Sequence, residues 1–516
     1  MPTYLSPGVY MEEVSSGSKP IEGVGTAVAA FVGFAEKGPV NEPTLVTNWT
    51  QFTQNFGSFI PGSYLAHAVY AYFLNGGGVS YVVRIGADGG DAVAPAARAE
   101  LMPAGGDGGG PVKGYAVQAL EAGAAGDDIT VEIADPGEPG EDTFKLVVKK
   151  GGKDAEVFDN LTTRKGPNNV VTKVKAESKL ISIEETKGAG LPAVPPKGSV
   201  KLNGGSAAGG ADDIDVSPDD YVGNTADRTG FAGLEAIDEV TMLAVPDLAA
   251  ALERGLINRE QFKGVQLAMI AHCELMADRV CILDTPPSLN AQQVKDWRID
   301  EAGYDSKYAA LYWPWVKVMD PLSGQAIFTP PSGSMAGIWA RNDDTRGVHK
   351  APANEVVRGC ISLQTNITKG EHDQLNPNGI NCIRAFPGQG IRVWGARTIS
   401  SDPEWRYLNV RRLFNYVEES ILQGTNWVVF EPNDNKLWDS VRRTVESFLR
   451  RVWRDGALFG LSPAEAFFVK CDAENNPAEN RDAGILTVEI GIAPVKPAEF
   501  VVFRISQFAD GAGLNE

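Results

Sequence analysis

"ILTVEIGIAPVKPAEFVVFRI", Ile485 to Ile505, holds two alternating apolar runs separated by Pro494-Val495-Lys496-Pro497. Whether those runs fold onto each other or part company decides how the C-terminal part of the chain is built. In the second run Val501, Phe503 and Ile505 point one way, and Phe500, Val502 and Arg504 the other, the period of a half-buried strand. Consecutive strands usually lie side by side, so a hairpin is the simple reading. The connection opposes it, because it offers no Gly, Asn or Asp for the positive φ of a tight hairpin turn. Pro494 and Pro497 instead hold the link near the extended polyproline conformation, which projects the following residues away from their own domain. An arm is the better expectation.

The other end has the same construction. Pro7 precedes "GVYMEEV", in which Val9 and Met11 alternate against Tyr10 and Glu12, and "SSGSKP" follows as a flexible joint. A short apolar segment fenced off by Pro, Ser and Gly cannot bury its face locally, whereas adding a strand to another molecule's sheet satisfies backbone and side chains together. Two arms reaching different neighbours make head-to-tail contacts, which propagate as a helical lattice unless the rotation closes. The expected product is a mesh of identical chains.

Bulk properties are those of a large folded chain. Its 516 residues, 43% hydrophobic and 22% charged, predict about three domains. A net charge of −19 is repelled by phosphate backbones and anionic lipid, so neither nucleic acid nor membrane insertion is expected. The opening "MPTYLSPGVYMEEVSSG" has no basic or apolar leader character, and no segment reaches 18 uncharged apolar residues. Five sparse cysteines without a CxxC pair suit a reducing cytoplasm.

The fold class expected is α/β (α+β) multidomain. Strand-like "GVGTAVAAFVGFAEKGP", helix-like "SYLAHAVYAYFLNGGG" and strand-like "VSYVVRIGA" open an α/β layer. From 88 to 220 short alternating runs such as "ITVEI" and "FKLVVKKGG" lie among Gly, Pro and Asp turns, reading as a mostly β insertion. The α/β rhythm then resumes, with "KYAALYWPWVKVMDP" read as one strand. The divisions are therefore arms at 1–22 and 497–516, a core domain from 23–87 and 221–380, the insertion, and a C-terminal α+β domain at 381–496. In the last, "NWVVFEP", "AFFVKC" and "GILTVEIGIAP" read as strands and 437–454 as a helix.

Several pieces of the chain resemble a known family, the tail sheath proteins of contractile phages and related injection systems. They are "YLSPGVYMEEV", "GTAVAAFVGFAEKGP", "FLNGGGVSYVVRI", "TGFAGLEAIDEVTMLAVPD", "PPSGSMAGIWARNDDTRGVHKAPANE" and "RDAGILTVEIGIAPVKPAEFVVFRISQF". They follow the family's order; the insertion, at a place that is variable and outward-facing in the family, is not covered. The resemblance implies a helical stack of six-fold rings around an inner tube protein, with baseplate and cap proteins at its ends, assembled in the bacterial cytoplasm or carried on a virion or released particle. It implies contraction of that stack to drive the tube through a target envelope. It also implies that the C-terminal domain is completed by strand exchange between subunits. Val9, Tyr10, Met11, Val14, Phe500, Val501, Val502, Phe503 and Ile505 would be the linking residues. Phe467, Val469, Leu486, Val488 and Ile490 would form the acceptor strands.

The helix at 437–454 carries Trp438, Val441, Val445, Phe448, Leu449 and Val452 at helical spacing, with Arg443, Arg450 and Arg454 on another face. Such a stripe is either a solvated face with i,i+4 pairing or, as the resemblance to a tube-attachment helix implies, a contact with an acidic inner tube.

An enzyme is the rival class. His272, Cys273 and Cys281 read as residues of an apolar helix and strand more than as a metal site, so no metal is expected. Ser334 in "PPSGSMAG" lacks the G-x-S-x-G elbow and reads as part of a loop. Neither a Walker A motif nor a strand-linked G-x-G-x-x-G is present, and no cofactor is expected. One polar constellation stands as the alternative: Asp343, Asp344, Arg346, His349 and Lys350 in "ARNDDTRGVHKAPAN", a loop that a cytoplasmic α/β enzyme could use.

Overall fold

The structure, a computed structural model, describes residues 20–86, 97–101, 114–120, 126–138, 140, 142–186, 193–203 and 216–504. Its centre is an eight-stranded sheet with the order Gly390–Val393, Ile380–Phe386, Ala309–Trp313, Val280–Asp284, Met242–Ala244, Val28–Gly33, Val79–Arg84, Thr44–Val46. The inner pairings are parallel and only the two edge strands run antiparallel. Parallel strands need both faces covered, which explains why "VCILD" and "AALYW" are buried at every position. Helix Arg259–Met276 packs on one face, and helices Leu65–Asn75 and Ser332–Arg346 on the other.

A buried carboxylate fixes that second face. Asp247 accepts hydrogen bonds from the Phe34 amide (2.6 Å), Ser63 Oγ (2.9 Å), the Leu65 amide (3.2 Å) and the Tyr64 amide, so it satisfies the orphan donors that open helix Leu65–Asn75. Burial nonetheless pushes its carboxyl up to about 6. Helices Leu65–Asn75 and Ser332–Arg346 then approach closely through glycine. A Cβ at Gly333 would lie 2.4 Å from Ala68 Cα, and one at Gly337 2.4 Å from Tyr72 O.

That contact corrects one expectation. "PPSGSMAG" and the following "ARNDDTR" are not a loop but helix Ser332–Arg346. Their glycines serve helix-on-helix packing instead of a turn, a distinction that needs the partner helix.

Other elements differ for similar reasons. "KYAALYWPWVKVMDP" splits at Pro314 into Ala309–Trp313 in the main sheet and Val316–Met319 in a three-stranded sheet with Ala326–Thr329 and Ser362–Leu363. "NWVVFEP" is a short 3-10 helix, Asn426–Val428, that links two long helices; β-branched residues with no strand to pair with do not make a strand. Strands Ile380–Phe386 and Gly390–Val393 lie in the main sheet, past the boundary expected at 380, because Ile380–Phe386 pairs with Ala309–Trp313, far upstream. Ile21, expected within an arm, is fully buried in the C-terminal core.

Residues between 97 and 203 make two antiparallel sheets and helix Val170–Glu177 around a hydrophobic core of their own. The C-terminal unit packs helices Leu408–Gly424 and Asn435–Arg454 against the paired strands Phe467–Lys470 and Glu489–Ile492.

Candidate functional site

The helix Asn435–Arg454 organises the C-terminal surface. Asp434 caps it by accepting from the Leu437 amide at 2.9 Å. Leu437, Trp438, Val441, Val445, Phe448, Leu449 and Val452 form its buried stripe. Each such side chain stabilises the fold by roughly 1.5–3 kcal/mol on burial.

The two strands lie on that stripe. Phe467 pairs with Ile492 and Val469 with Ile490, and all four are half-buried against the helical core. On the other face the Phe468 ring covers Gly491, where a Cβ would lie 2.1 Å from it. Leu486 and Val488 also reach the core, but the strand itself begins at Glu489. Upstream of it Asn476 takes the place of a ladder partner, accepting from the Thr487 amide (2.7 Å) and donating to its carbonyl (3.0 Å). The expected acceptor strand "ILTVEIGI" is thus shorter than its alternation. Among the described residues this sheet has only two strands, and a lone pair of strands is marginal in water.

Beyond Ile492 the chain does not turn back as a hairpin. Ala493 exchanges hydrogen bonds with Ala466 and Phe459, at 2.8 Å each, and the Val495 amide donates to Ala457 O at 3.2 Å. Glu499 then meets Arg397, whose Nε and Nη2 donate to its two carboxylate oxygens at 2.8 and 2.6 Å. Asn376 Nδ2 (2.7 Å) and the Tyr407 hydroxyl (3.1 Å) complete the grip. Burial alone would raise this carboxyl, but the hydrogen bonds from Arg397 and Asn376 hold it below the usual glutamate range. After Glu499 the chain is largely exposed: Phe500, Val501, Val502 and Phe503 are 74, 67, 76 and 85% exposed. Ile505 and the N-terminal linking residues Val9, Tyr10, Met11 and Val14 lie outside the described residues.

The N-terminal side enters the same unit. Ile21 sits between the two long helices, Arg451 donates to its carbonyl, and the Val24 amide donates to Ser420 Oγ at 3.1 Å.

Arg443, Arg450 and Arg454 share the exposed face of helix Asn435–Arg454. Arg443 Nε is engaged with Asp439 O at 3.1 Å, and Arg442 pairs with Asp439 at 2.6 Å. The face is open, with one local ion pair at its N-terminal end.

The rival polar constellation is split: Arg346, His349 and Lys350 line one groove, while Asp343 and Asp344 do not. Asp343 is committed to Arg412, bidentate at 2.6 and 2.9 Å with both side chains 4% exposed, and also accepts from Thr26 Oγ1 at 2.7 Å. Lys350 pairs with Glu355 at 3.0 Å. Asp344 is exposed at the end of its helix, and the His349 carbonyl accepts from Asn409 at 2.7 Å. Ser334 is buried within a helix, and Cys273 and Cys281 are buried free thiols. Among the described residues no group of three or more His, Cys, Asp or Glu side chains is placed to hold a metal ion, and no helix is long and apolar enough to cross a membrane.

Sequence reading missed Glu499, Arg397, Asn376 and Tyr407 as a cluster. The available signal was a lone acid immediately before four apolar residues; its partners lie 92 to 123 positions away.

Residues 259–399 match the family described as "Phage tail sheath protein central domain", and residues 400–508 match "Phage tail sheath C-terminal domain". The chain is 25% identical over 532 aligned positions to the tail sheath protein of Burkholderia phage BcepMu, covering 96% of this chain and 95% of that one. It is 23% identical over 335 positions to the tail sheath protein of Vibrio phage KVP40, where the match covers 60% of this chain but only 47% of that relative's length. In fold it is similar to the sheath of an extracellular contractile injection system solved in the contracted state, with a TM-score of 0.56, 23% identity, and coverage of 98% of this chain and 99% of that one.

Proposed function

Given that this chain belongs to the contractile tail sheath family, we propose that it polymerises as stacked six-fold rings around an inner tube protein, bounded by baseplate and cap proteins, and contracts to drive the tube through a target envelope. Each subunit lends Phe500–Phe503 and the residues that follow to the sheet Phe467–Lys470/Glu489–Ile492 of a neighbour, and the segment around Val9–Val14 to another. Joints in irregular chain absorb the rotation of the bodies, and packed interfaces with two discrete arrangements store and release the free energy without nucleotide hydrolysis. Assembly is in the cytoplasm of the producing cell.

One observation carries the strand exchange: four consecutive apolar residues stand exposed beyond a pinned root, on a chain whose nearby sheet has two strands among the described residues. Buried together, they remove apolar surface from water at about 25 cal/mol per Å² and pair backbone groups on both sides. Deleting Phe500–Glu516 is expected to leave folded, unpolymerised subunits in negative-stain micrographs, while deleting only from Ala509 leaves tubes. Tubes of ordinary length from the longer deletion would overturn the reading.

A further inference from the structure

The contacts of the arm root divide between two bodies. Ala493 and Val495 are tied to Ala457, Phe459 and Ala466, all in the C-terminal unit. Glu499 is tied mainly elsewhere: Arg397 and Asn376 lead into the eight-stranded sheet, while Tyr407, the third partner, stands just before helix Leu408–Gly424 of the C-terminal unit. Arg397, which grips it in a fork, is itself locked to strand Ile380–Phe386: its amide donates to Asn381 Oδ1 at 2.7 Å, and Asn381 Nδ2 donates to its carbonyl at 2.8 Å. Asn381 is fully buried in that strand, and Asn376 stands just before it. Between these two anchorages the root passes over a groove of about 1020 Å³, whose walls include Lys369, Arg384 and Arg397. Past Glu499 none of the residues 500 to 504 makes a backbone hydrogen bond to the described chain.

We infer that Glu499 is the positioning residue of the C-terminal arm: held by Arg397, Asn376 and Tyr407, it sets where the donated strand leaves the subunit and couples that strand to the eight-stranded body. This rests on the strand-exchange reading and adds the hinge to it. The physical reason is geometric. A bidentate Arg–carboxylate pair fixes direction as well as distance, and a partly buried one is screened far less than a surface pair. Without it the free segment would begin at Lys496, four residues earlier, and sample a wider volume before docking, which lowers the effective concentration of the strand at the neighbour's sheet. Because the grip lands on Arg397, pulling on the arm loads the large sheet directly instead of peeling the two-stranded one.

The test uses the full chain with Glu499→Gln, which keeps size and removes charge, and Glu499→Ala. A spin label on Phe503→Cys, paired with one on an exposed site of the main domain in a Cys360→Ser background, reads the arm's direction in unpolymerised subunits. The expected result is a narrow distance distribution for the parent chain and a broad one for both variants, with the thermal midpoint of the subunit shifted by no more than a few degrees. The concentration needed for tube formation should rise about tenfold, equivalent to about 1.4 kcal/mol. An unchanged distance distribution, or tubes forming at the parent concentration, overturns the positioning role. Failure of the exchange reading is distinguishable, since it shows as tubes from the Phe500–Glu516 deletion whatever the labels report.

Discussion

Arg412 and Asp343 place two charges where almost no water reaches them. Their fork joins helix Leu408–Gly424 of the C-terminal unit to helix Ser332–Arg346 of the main domain, and Arg412 Nη2 also donates to Thr26 O at 2.9 Å. The guanidinium stacks on Trp339, 4.9 Å from the ring centre. Breaking such a pair from one side leaves an uncompensated charge, a loss of about 3–5 kcal/mol, whereas replacing both partners with apolar groups is often close to neutral. Arg412→Ala is therefore expected to destabilise the unpolymerised subunit by about that amount in thermal or urea unfolding, and Arg412→Met with Asp343→Leu to recover most of it. If the single variant unfolds like the parent, the pair is not what joins the two units. This commitment also explains why the polar constellation that read as a candidate catalytic loop separates into structural contacts: its central carboxylate already has its partners.

At the scale of the element, helix Asn435–Arg454 presents two different faces. Its apolar stripe is the floor under the paired strands, and its arginine face is open. Exposed ion pairs contribute only ~0–1 kcal/mol each, so if this face meets an acidic inner tube, as we propose, the contact can hold and then release. Replacing Arg443, Arg450 and Arg454 together with Gln should change subunit stability by less than about 1 kcal/mol, because surface positions of this kind carry little of the fold. The same variant should form sheaths that fail to retain the inner tube protein on sedimentation. Retention at the parent ratio would return the stripe to a merely solvated face. The strands above the helix show why alternation overstates strand length. "ILTVEIGI" alternates throughout, yet only Glu489–Ile492 finds a ladder, since the partner strand ends at Lys470 and Asn476 serves the residues upstream.

For the whole molecule, the described part of the insertion packs apart from the rest. Its sheets and helix close around their own core, and the main chain re-enters the α/β body at Val216, which packs in the same cluster as Ile85. Both borders therefore meet one hydrophobic core, the arrangement in which a domain can be exchanged or removed. Replacing residues 88–214 with a short Gly/Ser linker should give a soluble chain with the circular dichroism of an α/β protein, still able to form tubes. Aggregation of that chain, or loss of its helices and strands, would show the insertion to be part of the folding unit.

The sequence by itself determined the periodic elements and the places where periodicity is interrupted: the all-apolar inner strands, the amphipathic helix at 437–454, the self-contained insertion, and the proline link that keeps Phe500–Phe503 from turning back as a hairpin. These are local properties, written in side-chain spacing and in the fixed φ of proline. Tertiary structure alone decided what depends on a distant partner. The glycines of "PPSGSMAG" became a helix because helix Leu65–Asn75 lies against them; Ile380–Phe386 joined the main sheet because Ala309–Trp313 lies beside it; and Ile21 left the arm for the core between two helices. Glu499 was decided in the same way, since a lone acid reads as solvated until Arg397, Asn376 and Tyr407 close around it, and no local pattern encodes a contact made across a hundred residues of chain.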